Sequence, residues 1–325
     1  HNNVKDKEMV ALIRKQLYRI GTKKSLPLTT QTPVAPPECK KALKSALEAC
    51  ERIGETQDGM QIYLYHYTGS SVIFRELGRL REHAFRAVGE GTGKRRDIDK
   101  YDMHYTHLIL WDPNQLELVG AYRLASAKKV LEQQGREGLY TDTLVDYSDK
   151  MQPYFEHGLE LGRSFVQPKY WGRKSLDYLW YGIGAFVKRY PEHRYLFGAV
   201  SLSNALPEEA KAMLVYHYQH YFGHLPEHAI AKHKYRLDSA QQENYKKLFL
   251  GNNIKEDFSE LKHILANMNA QVPTLFKQYT ELCEDGGVNF LCFSVDPDFS
   301  NCIDGLVLVD LEKIKPQKAK RYLGE

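Results

Sequence analysis

One stretch limits the fold more than any other. An apolar run from Leu159 to Gln167 is followed by a helical stripe at Leu176, Leu179, Ile183, Phe186 and Val187, and then by a second apolar run from Tyr195 to Ser203. Two strands joined through a helix have the length a parallel crossover needs. The runs Tyr105–Trp111 and Leu116–Leu124, in contrast, are joined by the turn residues Asp112-Pro113-Asn114, which favour a hairpin. Upstream, Ser70 or Ser71 can cap a helix to about Val88, with its stripe at Ile73, Leu77, Leu80, Ala84 and Val88. Pro207 opens a further helix, residues 225–285 read as helical and charged, and Phe290–Val295 and Gly305–Val309 return as strands. The order predicts an α/β protein with a central mixed, mostly antiparallel sheet flanked by helices.

The first 60 residues read differently. A basic amphipathic stretch (Ala11 to Ile20) leads into a Thr/Pro-rich linker, Leu26 to Pro37, and then into a helix with Leu43, Leu47 and Cys50 at helical spacing. Thr56-Gln57-Asp58-Gly59 makes a turn before a short strand at Gln61–Tyr67. We expect a helical appendage over residues 1–60 and a main domain over 61–325. The opening His1-Asn2-Asn3, without a Met, is expected to follow further upstream sequence.

Composition narrows the class. No run approaches the roughly 18–20 apolar residues of a membrane-spanning helix. Five cysteines are scattered without a CxxC pair, which argues for reduced thiols in the cytoplasm rather than a disulfide framework. The formal charge of +4 suits an acidic protein partner or an anionic membrane surface but decides neither. The histidines His217, His220, His224, His228 and His233 lack an HExxH pattern, so no metal is expected. His107 to Asp112 has the HxxxxD spacing of glycerolipid acyltransferases, but it falls along a strand and has no companion motif.

Three candidate sites remain. Arg81, Phe85 and Arg86 share a helix, and Asp97, Asp99 and Asp102 follow a glycine-rich basic loop, Gly89 to Arg96. The acids could hold a cationic amine or simply balance the adjacent basic residues. The loop lacks the P-loop spacing and reads as mobile. Glu160 and Arg163 lie in one strand and would point to opposite faces unless Gly162 marks a bulge that unites them. An ion pair of purely structural use is the alternative. Last, Pro168-Lys-Tyr-Trp-Gly172-Arg-Lys-Ser175 joins a strand end to a helix start. There, free amides with Lys169, Arg173 and Lys174 make an anion site.

Together these motifs resemble the acyl-homoserine-lactone synthase branch of the GNAT superfamily, and more closely its ornithine–acyl-carrier-protein N-acyltransferases. The residues that carry the likeness are Arg81-xxx-Phe85, then Asp97, Asp99 and Asp102, then Val119-Gly-Ala-Tyr-Arg123 and Glu160-Leu-Gly-Arg163. The lipid branch is favoured by Tyr170-Trp171-Gly172-Arg173 and by the tail segments Val272-Pro-Thr-Leu275, Val295 to Asn301 and Asp304 to Asp310. Residues 1–60 resemble the end of a phosphate-acyltransferase domain, whose catalytic part would lie upstream.

The resemblance implies direct transfer of a 3-hydroxy fatty acyl group from acyl carrier protein to the amine of an amino acid such as ornithine, giving a lyso-aminolipid. No permanently bound cofactor is implied. The phosphopantetheine thioester is a co-substrate, and coenzyme A is a possible substitute. The implied roles are Glu160 as base, directly or through water, Arg163 as its orienter or as a stabiliser of charge, and Tyr216 (or Tyr218) as proton donor to the thiolate. Arg81, Phe85, Asp97, Asp99, Asp102 and Arg123 would bind the acceptor side. Phe165, Val166, Lys169, Trp171, Gly172, Arg173 and Lys174 would bind the donor, a backbone N–H near Phe165 or Val166 polarising the thioester. The loop departs from [RQ]xxGx[GA] by lacking the second small residue, which suits the single phosphate of a carrier-protein arm. A signal synthase acylating S-adenosylmethionine, or a docking domain without catalysis, are the other readings. Peripheral contact with the inner membrane is expected; nucleic acid is not.

Overall fold

Why the sheet is mixed follows from where the chain has room to cross over. The computed structural model describes residues 6–22, 24–28, 31–251 and 253–324, so His1–Asn3 and part of the linker, Thr29 and Thr30, lie outside the described residues. Helices α1 (Asp6–Arg19) and α2 (Lys40–Glu48) precede strands β1 (Glu51–Glu55) and β2 (Gln61–His66). Then come α3 (Val72–Ala87), β3 (Thr106–Asp112), β4 (Glu117–Ser126), α4 (Ala127–Gln134), β5 (Val145–Tyr147) and α5 (Gln152–Glu156). The crossover unit is β6 (Gly158–Val166), α6 (Ser175–Arg189) and β7 (Tyr195–Leu202). The chain closes with α7 (Glu208–Phe222), β8 (Ala229–Ala231), α8 (Ser239–Leu248), α9 (Ile254–Asn267), α10 (Thr274–Thr280), β9 (Val288–Asp296), β10 (Cys302–Asp310) and α11 (Pro316–Tyr322).

The main sheet has eight strands in the order β1-β2-β3-β4-β6-β7-β10-β9, and β5 pairs with β8 apart from it. Every neighbouring pair in the main sheet is antiparallel except β6 and β7, the pair the sequence marks for a parallel crossover. One face packs on α6 and α7 through Leu124, Leu159, Leu161, Leu179, Ile183 and Val200. The other carries α3, whose Leu77, Leu80, Ala84 and Phe85 meet Ile109, Ala121 and Phe165. Ser71 caps α3 by accepting from the Phe74 amide at 3.1 Å.

The expected boundary at residue 60 falls inside the β1–β2 hairpin. Leu43 and Leu47 of α2 are buried against the α3 layer, and β1 forms the edge of the main sheet. The turn at residues 56–59 was legible, but Glu51–Glu55 has too few apolar residues to announce a strand; its pairing with β2 supplies what its composition lacks.

Strands β6 and β7 pair only where Gly158–Glu160 meets Tyr195–Phe197. They still touch at Gly198, where any Cβ would lie 2.1 Å from the Leu161 carbonyl oxygen, so no larger residue fits. Beyond that point β6 follows β4 as far as Val166, while β7 follows β10 as far as Leu202. The sheet therefore splays, leaving the facing edges near residues 164–166 and 199–202 without a strand partner.

Candidate active site

The splay opens into a cleft of about 900 Å³. Ser164, Phe165 and Val166 of β6 form one wall, and Ser201 and Ser203 at the end of β7 form another. Phe85 and Val88 close it from α3, while Trp171, Gly172, Arg173 and Leu176 meet it at the start of α6. The α9–α10 connection, residues 269–275, supplies the remaining wall and includes Val272-Pro-Thr-Leu275.

Behind this cleft lies a buried polar layer. Arg81 donates from Nη1 and Nη2 to the two carboxylate oxygens of Asp102, each at 2.8 Å, and from Nη2 to the Asp97 carbonyl at 2.8 Å. Arg123 donates to Asp99 at 2.6 Å and to Asp102 at 3.1 Å. Arg163 lies 3.2 Å from Asp97 and 3.4 Å from Asp99, with its guanidinium held between the rings of Tyr140 and Phe299. Locally the acids are placed by a capping box: Asp99 caps the short turn Lys100–Met103, and Asp102 accepts from the Asp99 amide at 2.9 Å. Burial alone would raise the Asp102 carboxyl. Arg81 and Arg123 beside it instead hold it far below the usual carboxylate range.

Three guanidiniums thus face three carboxylates. Asp97, Asp99 and Asp102 each lie against the chain's own arginines, and of the three Asp99 keeps part of its side chain exposed. Sequence reasoning set Arg81 and Arg123 beside the three acids but gave Arg163 to Glu160, because which cation arrives from β6 depends on the strand register.

The bulge is present, one residue later than Gly162. The β4–β6 register slips between Ala121–Phe165 and Arg123–Gly162, and Arg163 takes a φ of 47°. This turns Arg163 onto the face that carries Glu160. The two carboxylate oxygens of Glu160 accept from the Tyr105 hydroxyl and, at 2.8 Å, from the Thr141 amide. Burial raises the Glu160 carboxyl above its ordinary range. Glu160 does not line the cleft, so it would reach a bound amine only through an intervening water.

Other placements differ from expectation. Tyr216 lies on a separate groove with Gln219, His220 and Lys234, its ring stacked on His220 and Phe249. Tyr218 is buried against Phe276 and Phe290. Neither faces the splay. Lys169 is drawn to Glu117 on the β3–β4 hairpin, and neither it nor Lys174 lines the cleft. Arg173, Trp171 and Gly172 do line it; the indole N–H of Trp171 donates to the Val166 carbonyl at 2.7 Å, and Gly172 turns the chain at φ 72°. The loop after α3 is anchored rather than loose. Glu82 accepts from the Thr92 amide at 3.1 Å, the Thr92 hydroxyl at 2.8 Å and Arg86 Nε at 2.6 Å, while Ser300 donates to the Gly91 carbonyl at 2.9 Å.

Sequence reasoning missed Glu90, Ser164 and Ser201, which line the cleft, and did not give Asp304 a site role. The one available signal was a carboxylate at Asp304 inside an otherwise apolar strand.

Residues 80–181, from α3 into α6, match the acetyltransferase (GNAT) domain family. Together with the chain's similarity to N-acyltransferases, this match supports its being an N-acyltransferase enzyme. It is similar to the glycine N(alpha)-acyltransferase of Bacteroides thetaiotaomicron, 29% identical over 300 residues that span 88% of each chain. It is also similar to the L-ornithine N(alpha)-acyltransferase of Brucella abortus, 32% identical over 145 residues, 42% of this chain and 47% of that one. Among solved structures, the acyl-homoserine-lactone synthase LasI is 10% identical and overlaps 83% of this chain and 96% of its own, at a TM-score of 0.34.

Proposed function

We propose that this chain moves a fatty acyl group from a phosphopantetheine thioester, lying in the β6/β7 cleft, to the α-amine of a small amino acid. The observation that carries the reading is the splay itself. It exposes unpaired strand edges to a narrow, amide-containing arm and leads from the α6 start to the polar layer behind Phe85. Phe85, Val88, Leu206, Val272 and Leu275 offer the acyl chain an apolar wall.

At the α6 start, Arg173 is the basic side chain in the cleft, and Lys174 stands where the [RQ]xxGx[GA] pattern has its second small residue. That supports acyl carrier protein over coenzyme A as the donor. Glycine is favoured over ornithine as the acceptor because similarity to the glycine enzyme extends along 88% of this chain, against 42% for the ornithine enzyme. The pairing of Asp97, Asp99 and Asp102 with arginines agrees, since a second ammonium would have to compete with those guanidiniums. Arg163 and Glu160 act as positioning residues that keep the layer and the β6 bulge in place.

An N-acyl amino acid with a long chain leaves toward a bilayer. We place that contact on α1, whose Met9, Val10, Ile13 and Leu17 are exposed along one stripe beside Arg14 and Lys15. No helix among the described residues is long and apolar enough to cross a membrane.

The test is to incubate the protein with 3-hydroxyacyl carrier protein or acyl-coenzyme A and a mixture of amino acids, then analyse products by mass spectrometry. N-acylglycine, formed faster from the carrier protein, is the expected product. Absence of any N-acyl amino acid from either donor would overturn the reading.

A further inference from the structure

Four carboxylates share the side of the sheet that holds the Arg–Asp layer but are not in an ion pair with any described Lys or Arg: Glu90, Glu160, Asp296 and Asp304. Two of them are satisfied within the chain. Glu160 is held by Tyr105 and Thr141, and Asp296 accepts from the Tyr140 hydroxyl and the Asp298 amide, each at 2.9 Å. The other two are not. Asp304 is 3% exposed, and its Oδ1 is buried with no hydrogen-bond partner among the described residues. It stands directly opposite Ser201 on β7, and directly opposed residues share a face, so it points the way Ser201 does, toward the cleft that Ser201 lines. Glu90 lines that cleft itself, half-buried, with no side-chain hydrogen bond among the described residues.

The loop under Glu90 is held still. Glu82, fully buried, binds both polar groups of Thr92, Ser300 holds Gly91, and Ser203 donates to the Val88 carbonyl across the mouth of the splay. A half-buried carboxyl on a loop fixed in this way, beside Asp304, which has the Ser201 hydroxyl but no Lys or Arg against it, carries on ionising a charge in excess of what the three arginines of the layer balance. A cation is the ligand that such an excess fits.

We propose that Glu90, backed by Asp304, receives the ammonium of the acceptor and removes its proton. The inference rests on the cleft holding the acyl thioester. The ammonium gives one proton to Glu90, and the freed lone pair attacks the thioester carbonyl. The C–N bond forms, the C–S bond breaks, and the departing thiolate takes the second proton from the same nitrogen. Glu90 then returns its proton to solvent. Burial and the neighbouring Asp304 push the Glu90 carboxyl up to about 8, with Arg163 opposing. Burial pushes Asp304 up to about 7, with Asp296 adding to the rise and Ser201 and Arg163 opposing. Cys302 also faces Glu90 from β10, its own thiol pushed up to about 12 by burial. A base near neutrality suits an amine that is mostly protonated at pH 7.

The experiment compares wild type with Glu90→Gln and Asp304→Asn, each checked by thermal melting. Binding of a non-reactive acyl-pantetheine amide and kcat/KM for glycine are measured separately across pH. Glu90→Gln is expected to bind the donor analogue within threefold of wild type and to lose about 10²-fold in kcat/KM. It should also lose the low-pH limb near pH 8, and its deficit should shrink with hydroxylamine, which is unprotonated at neutral pH and needs no base. Asp304→Asn should raise KM for glycine more than it lowers kcat, and it decides the matter should Glu90→Gln melt early. An unchanged glycine rate and pH profile in Glu90→Gln, or an unchanged KM in Asp304→Asn, overturns the proposal. Failure of wild type to bind the analogue or to form N-acylglycine would instead overturn the cleft reading beneath it.

Discussion

Glu160 and Asp102 are both buried carboxylates on one face of the sheet, yet their partners give them opposite characters. Glu160 has only neutral donors, Tyr105 and Thr141. A glutamine in its place can still accept from the Thr141 amide, and the Tyr105 hydroxyl can re-aim at the nearby Gly138 carbonyl. Glu160→Gln is therefore expected to keep kcat within about tenfold of wild type, short of the roughly 10²-fold loss typical of a missing general base; steady-state kinetics measure the difference. Asp102 sits between two guanidiniums. Its pKa is depressed on folding, so its contribution to stability is fully present above the unfolded value near 3.9 and is lost progressively as pH falls from there through the depressed folded value. Replacing it with Asn strands charge on Arg81 and Arg123 and should cost about 3–5 kcal/mol at pH 7. Denaturant titrations at pH 7 and pH 3 should show that deficit narrowing in acid. A deficit independent of pH would mean that the pair is not what stabilises the layer.

At the scale of elements, much of the scaffold is written locally. Helix α3 follows its stripe and its Ser71 cap, and the hairpin of β3 and β4 follows its turn residues. The parallel pairing of β6 with β7 follows from the helix between them. The site was only half legible for a physical reason. Periodicity says which face a residue takes, but not whether a carboxylate on that face meets an arginine, a tyrosine or open space. Arg163 shows this best: the bulge was suspected from Gly162, yet its left-handed backbone and the Asp97 and Asp99 contacts exist only once β4 fixes the register. Tyr216 shows the same limit on a helix, where its position on α7 sends it to the wrong groove for the chemistry expected of it. Helix α1 is the element whose use the fold leaves outside itself. Vesicle sedimentation with anionic lipids is expected to weaken at least several-fold when Ile13 and Leu17 are changed to Ser, with the fold intact. Equal binding would assign that stripe to another occupant.

Across the whole molecule, the eight-stranded sheet does two jobs through one irregularity. It packs α3 and α6 on opposite faces, and it parts at β6 and β7 to leave an opening between the α6 start and the α9–α10 connection. Donor and acceptor would enter the same opening from different sides, the thioester along the strand edges and the amine beside Glu90. A second cavity, of about 630 Å³ and lined by His217, Tyr221, Phe258 and Lys315, lies apart from this opening and offers the obvious rival location for an acyl chain. The most direct measurement is a crystal structure with a non-hydrolysable acyl-pantetheine amide. The account predicts density running between Ser164–Val166 and Ser201–Ser203, with the amide carbon facing Glu90. Density confined to the His217 cavity, with the splay closed, would contradict it.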